Sequence, residues 1–499
     1  MKLVTRKALA ILVLLPAICA IPIECQAVVT TNASKGLYEL AISSTGPIIK
    51  TETFDRDPNW EGFYNRMKPE DAREVKQNFG YARTHFAGKM AGEMGGVIWR
   101  SMTPAHYGDR LAPRTLNDRL TATGSFALTD SSGGDGIFFG WFNARQQGFR
   151  PVNFVGFRLD GQSDYAIVHV DYTTGTWKAG GLNTGIRIRS DRSRHTFKLI
   201  YDPAANRGGG AISLIIDRRR PVTLKLDPGH KAEGAAFNRF GMFNVQVYGG
   251  PMTVYFDDLK YNGKMETFAK DPKWDAKGNH VWFVDQDKRP AQNFGFSQTS
   301  FTGGAPGEVG GTFWRCPIDA PQSYYADRIG PLTLEKPLFA SGSIAFTRAS
   351  SDSCLMFGWF NSETARKAQA ERAGSIDNFV GVVIGGPSRV GHYFDPTYVT
   401  AGGDGARGDT DSPVIRPDGR ARTWTLSYDP YANGGAGAID ASLDGERVTL
   451  NLRPGGKAQG ATFDRFGIMP TRPDGHGLSV YWDDLKYTKT YPSEHKLRM

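Results

Sequence analysis

Cysteine is scarce in this chain: four residues in 499. No His/Cys cluster has zinc-ligand spacing, so a zinc-folded module is excluded. No Gly-Lys-Ser/Thr phosphate loop occurs, which argues against a nucleotide hydrolase. Basic residues are dispersed, with Arg218-Arg219-Arg220 the one run, so no nucleic-acid module and no nucleic-acid partner is expected. After the N-terminus there is no apolar run of membrane-spanning length, and no membrane insertion is expected. What the chain has in abundance is glycine (60 residues) and aromatic side chains (12%). Frequent glycine disfavours long helices. Glycine and proline together stay below the share that marks disorder, and the aromatics can furnish cores. A glycine-rich, aromatic β protein remains.

The first residues read as an address. Lys2, Arg6 and Lys7 precede an apolar stretch from Ala8 to Ile23, and Cys25-Gln26-Ala27 suits cleavage after Ala27. Pro16 and Pro22 and the short length argue against a membrane anchor. Neither Cys19 nor Cys25 has the small residues before it that a lipoprotein needs. The expectation is a signal peptide over 1–27 and a secreted or periplasmic protein. Its loss lowers the formal charge from +9 to +7 and leaves Cys316 and Cys354, which an oxidising compartment would allow to pair or to remain as buried thiols.

The rest of the chain is written twice. Asp57-Pro58-Asn59-Trp60 returns as Asp271-Pro272-Lys273-Trp274. Gly92-Glu93-Met94-Gly95-Gly96 with Trp99-Arg100 returns as Gly307-Glu308-Val309-Gly310-Gly311 with Trp314-Arg315. Phe139-Gly140-Trp141-Phe142-Asn143 returns as Phe357-Gly358-Trp359-Phe360-Asn361, and Asn153-Phe154-Val155-Gly156 as Asn378-Phe379-Val380-Gly381. Asp257-Asp258-Leu259-Lys260-Tyr261 returns as Asp483-Asp484-Leu485-Lys486-Tyr487. The order holds and the offset drifts little, so each repeat is a domain. The expected division is a lead segment 28–53, a first unit 54–262, a second unit 263–488 and a tail 489–499.

Each unit reads as strands. Val222, Leu224 and Leu226 alternate with Thr223 and Lys225, and Val448, Leu450 and Leu452 do the same. Strands separated by glycine turns recur throughout, and helix is expected only over 69–77 and 363–373. The fold class expected is all-β: two tandem antiparallel β-sandwiches.

The aspartate strand Val254-Tyr255-Phe256-Asp257-Asp258-Leu259-Lys260-Tyr261 closes a unit of about 200 residues. In the second unit Trp424 to Tyr428, Asp429-Pro430, a glycine turn and Asp444-Gly445 make a hairpin of a recognisable form. With these features the chain resembles the concanavalin A-like lectin and glucanase superfamily, including laminin-G-like jelly-roll domains. That resemblance implies two stacked sheets, an extracellular polysaccharide partner, and a calcium ion near the last strand. It lands the calcium on Asp257 and Asp483. Asp57 and Asp271 are expected to meet them, because the first and last strands of such sandwiches often pair.

Trp99, Arg100, Trp141 and Asn143, with Trp314, Arg315, Trp359 and Asn361, are the candidate ligand residues. A ring stacks on a sugar face while Arg and Asn bond its hydroxyls or carboxylate; the same aromatics also suit a core. The +7 balance suits an acidic glycan. The superfamily's Glu-x-Asp-x-Glu hydrolase pattern is absent, so a lyase is the favoured enzyme alternative. Asn78, Arg100, Tyr107 and His169, or Asn293, Arg315, Tyr325 and His392, would serve it. A structural or adhesive envelope protein is the third reading.

Overall fold

The computed structural model describes residues 46–492, except 68–72, 147, 149–150, 286–291, 317–321, 351, 368–375, 387–390 and 473–474. The expected signal peptide lies outside the described residues. The chain forms four antiparallel sheets stacked in two pairs, and each pair encloses a core of alternating inward side chains. Arg194–Asp202 shows why: Phe197, Leu199 and Tyr201 are buried while Thr196 and Lys198 face water.

In the first unit the front sheet runs, in spatial order, Ala179–Arg189, Tyr165–Thr173, Phe154–Gly161, Gly136–Phe142, Ala236–Asn244, His106–Thr115 and Asp275–Lys277. Its back sheet centres on Leu120–Ser131, Pro251–Tyr261, Glu93–Trp99 and Arg73–Ala82. The second unit repeats this. Its front sheet holds Tyr324–Thr333, Thr462–Pro470, Ser353–Phe360, Phe379–Gly386 and His392–Val399. Its back sheet holds Gln292–Ser297, Glu308–Trp314, Gly477–Thr490, Leu338–Ala349 and Ala421–Asp429.

The strands do not sort at the expected boundaries of 54 and 263. The opening of each repeat crosses to the other unit. Ile48–Glu52 pairs with Gly477–Thr490, Glu61–Phe63 with Tyr324–Thr333, and Arg66–Met67 with Gln292–Ser297. Reciprocally, Asp275–Lys277 pairs with His106–Thr115 and His280–Asp285 with Arg73–Ala82. Phe54 and Trp60 therefore belong to the second core, and Phe268 and Trp274 to the first.

The fit is close on both sides. Trp60 packs on Phe54, Tyr325 and Tyr487 at ring separations of 5.3, 5.8 and 6.2 Å. Trp274 packs on Phe268, Tyr107 and Tyr261 at 5.1, 5.7 and 6.1 Å. The repeated glycine motif is explained here. A Cβ on Gly307 would fall 2.0 Å from the Phe54 carbonyl oxygen, and one on Gly92 would fall 2.0 Å from that of Phe268. Both glycines have positive φ, 136° and 118°, so the incoming segment needs glycine on both counts. Glu61 then clasps the second unit through Arg465 and Arg328. Burial opposes its charge, but Arg465, Tyr324 and Arg328 win and hold its carboxyl down at about 2.

Two local expectations change. Residues 73–77 of the expected first helix are part of the strand Arg73–Ala82. The second helix is Ser362–Lys367, and the rest of its expected span lies outside the described residues.

Candidate functional site

The face of the first front sheet that points away from the core carries the chemistry. Phe157, Leu159, Val168 and Val170 point inward, so Arg158, Asp160, His169 and Asp171 point outward. Directly opposed residues line up across six strands: His106, Phe243, Phe138, Arg158, His169 and Asn183. The next outward row is nearly bare: Gly108, Gly241, Gly140, Gly156, Asp171 and Gly181. Phe154 lies over Gly156, where a Cβ would come 2.6 Å from its ring. The missing side chains thus let an apolar cluster of Phe138, Phe142, Phe154 and Phe243 settle on the sheet. Beside it Arg158, His169, Asp171 and Asn183 line a cavity of about 240 Å³.

Charges in this cavity are paired. Arg158 donates to Asp160 at 2.8 Å and to Asp171 at 3.1 Å. Arg100 donates to the other oxygen of Asp160. Burial opposes the ionised form of Asp160, but Arg158 and Arg100 outweigh it and hold its carboxyl below the usual range. Burial, and then the neighbouring Arg158, lowers the pKa of His169, so its ring is neutral at pH 7. Two guanidinium groups face two carboxylates, leaving a site rich in hydrogen-bonding groups and without excess charge.

Among the expected lyase residues, Arg100 and His169 meet at Asp160, with His169 Nε2 3.7 Å from it. Tyr107 does not join them. It lies in the core on Trp274, 3.5 Å from Asp271. Asn78 bonds the His280 ring at 3.0 Å on the back sheet.

The second unit lacks the constellation. Its row reads Met469, Met356, Val383 and Asp395, so Val383 stands where the first unit has Arg158 and Asp395 where it has His169. His392 sits instead against Phe346 and 2.9 Å from the Ser353 hydroxyl. Tyr325 is occupied with Trp60 and Asp57, and Arg66 donates to Asn293.

The expected tryptophan platform is not formed. Trp141 and Trp359 are fully buried between the sheets and Trp314 is 2% exposed. Trp99 is half-buried, with the Arg73 guanidinium 5.4 Å from its ring. The strands Gly136–Phe142 and Ser353–Phe360 are buried at every position, so alternation could not say which aromatics face inward. Asn143 closes a turn by accepting the Arg145 amide, and Asn361 caps the short helix through the amides of Glu363 and Thr364. Cys316 and Cys354 are both free and buried, not paired.

The four aspartates of the expected calcium site are not gathered. Asp57 and Asp271 each accept the amide two residues on and a tyrosine hydroxyl. Among the described residues no three His, Cys, Asp or Glu side chains form a metal site. Asp257 lies near Glu93, whose oxygens are already taken by the amides of Phe86 and Ala87. The residues present do not fit the expected ion.

Burial, then the charges of Asp258 and Glu93, pushes the Asp257 carboxyl up to about 7 against the pull of the Asp258 amide; burial, then the charges of Asp484, Glu308 and Asp55, pushes Asp483 up to about 6 against the Asp484 amide. A raised carboxyl binds its proton more tightly when folded, so folding loses stability as pH rises from about 4 to about 7. Asp257→Asn keeps the Oδ1 acceptor for the Asp258 amide and removes that loss. We expect its stability to match wild type near pH 4 and exceed it by roughly 4 kcal/mol at pH 8, read by denaturant melts at both pH values.

Residues missed from the sequence are Arg158, Asp160, Asp171 and Asn183. A signal was present: Phe-Arg-Leu-Asp and Val-His-Val-Asp alternate apolar and polar residues on adjacent strands.

No protein-family model matches the chain, and no curated protein matches it. Among solved structures, two domains of the mouse laminin alpha1 chain match at 11% identity and a TM-score of 0.25, covering 86% of this chain and 96% of that one. An alginate lyase from Pseudomonas aeruginosa matches at 11% and 0.25, covering 39% and 86%. The carbohydrate recognition domain of Emp47p matches at 11% and 0.23, covering 40% and 93%. TM-scores of this size carry no residue-level correspondence. By its own strand order, the chain is a tandem of antiparallel β-sandwiches.

Proposed function

We propose that the protein is exported and that its first unit holds a segment of an extracellular polysaccharide in the cavity on its front sheet. The observation that carries this reading is the row Phe138, Arg158, His169 and Asn183, ending in a cavity with an apolar floor and a polar wall. Sugars present an apolar ring face beside a rim of hydroxyls, which such a wall and floor complement. Because Arg158 is balanced by Asp160 and Asp171, the site suits a glycan bound through hydroxyls better than one bound through charge alone. The acidic partner expected from net charge is therefore not proposed for this unit.

A second reading is favoured by one observation: the His169 imidazole stands directly beside the Arg158 guanidinium on the adjacent strand, and burial and that charge lower its pKa. On a uronate chain a neutral imidazole can take the proton next to the carboxylate. The glycosidic C–O bond then breaks, a C=C bond forms, and the leaving oxygen gains a proton. Tyr107 is not placed to supply that proton, so binding without cleavage is the primary reading. The test is incubation with neutral and uronate polysaccharides followed by size exclusion. Co-elution of intact chains supports binding. Shortened chains with unsaturated ends support elimination. Neither outcome with any glycan refutes both.

A further inference from the structure

The two units differ at one position in a way that assigns the second unit its own ligand chemistry. In the first unit Gly136 stands opposite Asp160. Its missing side chain makes room for Arg100, since a Cβ there would fall 2.8 Å from the Arg100 guanidinium. Arg100 lies down on the sheet and is neutralised by Asp160.

In the second unit the corresponding pair is Cys354 opposite Gly385. The Cys354 side chain takes the space of the guanidinium, so Arg315 turns to Asp352, which is 62% exposed, and donates to the Arg472 carbonyl at 3.1 Å. The carboxylate counterpart of Asp160 is gone. A second guanidinium, that of Arg407 from the strand Gly405–Arg407, lies over Gly385, where a Cβ would fall 2.4 Å from its Nη2. Arg407 is backed by the buried Asp395. Arg472 completes the wall, its Nε bonded to Gln322 at 3.0 Å. These three arginines and Asp352 line a cavity of about 380 Å³.

We infer that the second unit binds an oxyanion, the sulfate or carboxylate group of a glycan or a free anion of that kind, in the place that the Asp160 carboxylate fills in the first unit. Guanidinium groups present paired donors in a plane that matches such oxygens. The ligand supplies the negative charge that the sequence omits at Gly385. This inference does not depend on what the first unit binds.

The repeat itself supplies the test. Gly385→Asp restores the internal carboxylate, and its backbone lies outside the left-handed region, so the fold must shift the flexible end of Arg407 and the Cys354 sulfur, 2.9 Å from the new Cβ. Arg315→Gln removes one guanidinium and leaves the exposed Asp352 and the Arg472 carbonyl without that donor. Calorimetric titration uses sodium sulfate, dextran sulfate, polygalacturonate and neutral dextran, against chloride at matched ionic strength. We expect binding to at least one anionic probe, none to dextran, and a loss of tenfold or more in each variant. Sulfate binding alone identifies a free anion; binding of one polymer only identifies its sulfate ester or its carboxylate. No binding beyond chloride, or equal affinity in wild type and Arg315→Gln, overturns the inference.

Discussion

Trp60→Ala is expected to unfold the C-terminal unit and leave the N-terminal unit standing, although Trp60 lies in the N-terminal repeat. Its ring is 6% exposed and packs in the second core on Phe54, Tyr325 and Tyr487. Truncating a buried Trp to Ala costs about 3–5 kcal/mol. A domain's whole stability is about 5–15 kcal/mol, so this is a large share of it. Trp274→Ala is the mirror experiment. That residue sits past the expected boundary of the second unit yet packs on Tyr107 and Tyr261 of the first.

Peptide-resolved hydrogen exchange distinguishes the two. Trp60→Ala should lose protection across 292–490, and Trp274→Ala across 73–261. Loss confined to the repeat that contains the substituted residue would contradict the strand exchange. The same exchange predicts that a chain ending at 262 folds poorly, since it lacks the segment that fills its own first core.

The second large effect concerns the cavity of the first unit. His169 and Asn183 stand side by side on adjacent strands, and both reach the cavity. Neither is needed to neutralise a buried charge, because Arg158 and Arg100 hold Asp160 without them. His169→Gln with Asn183→Ala therefore removes ligand contacts and costs the fold only the exposed hydrogen bond from the Gly185 amide to Asn183 Oδ1. Each lost hydrogen bond to a ligand is worth about 1.5 kcal/mol, or roughly tenfold, so the double variant should bind about a hundredfold more weakly. If the protein cleaves, His169→Gln alone should abolish product while binding weakens only about tenfold, because the proton transfer is lost together with one contact.

Much of the architecture was legible in the sequence. The repeated motifs gave two units, and alternation in strands such as Val222–Lys225 gave β structure with one wet face. The exchange was not legible, because a repeat looks the same whether its first strand returns to its own unit or crosses to the next. The drifting offset records loop insertions and carries no pairing. The site was half legible. Arg100 and His169 are where a ligand site forms, but Tyr107 and Trp141 are core. Trp141 lies on an apolar stretch in which the phase of alternation cannot be read. Arg158 taken alone is one more polar position on an alternating strand. The register across strands brings Arg158, His169 and Asn183 together, and register belongs to the fold. The repeat also hid a difference. Trp99-Arg100 and Trp314-Arg315 are identical pairs, yet Gly136 and Cys354 across the sheet send the two arginines to different partners.

The most direct measurement is co-elution of the wild-type protein and the His169→Gln/Asn183→Ala variant with neutral and anionic polysaccharides, fold checked by hydrogen exchange. The account predicts a glycan that travels with the wild-type protein and is released by the double variant, whose two units stay protected. A neutral glycan that binds both proteins equally well would place the binding site elsewhere and contradict the assignment to the first front sheet.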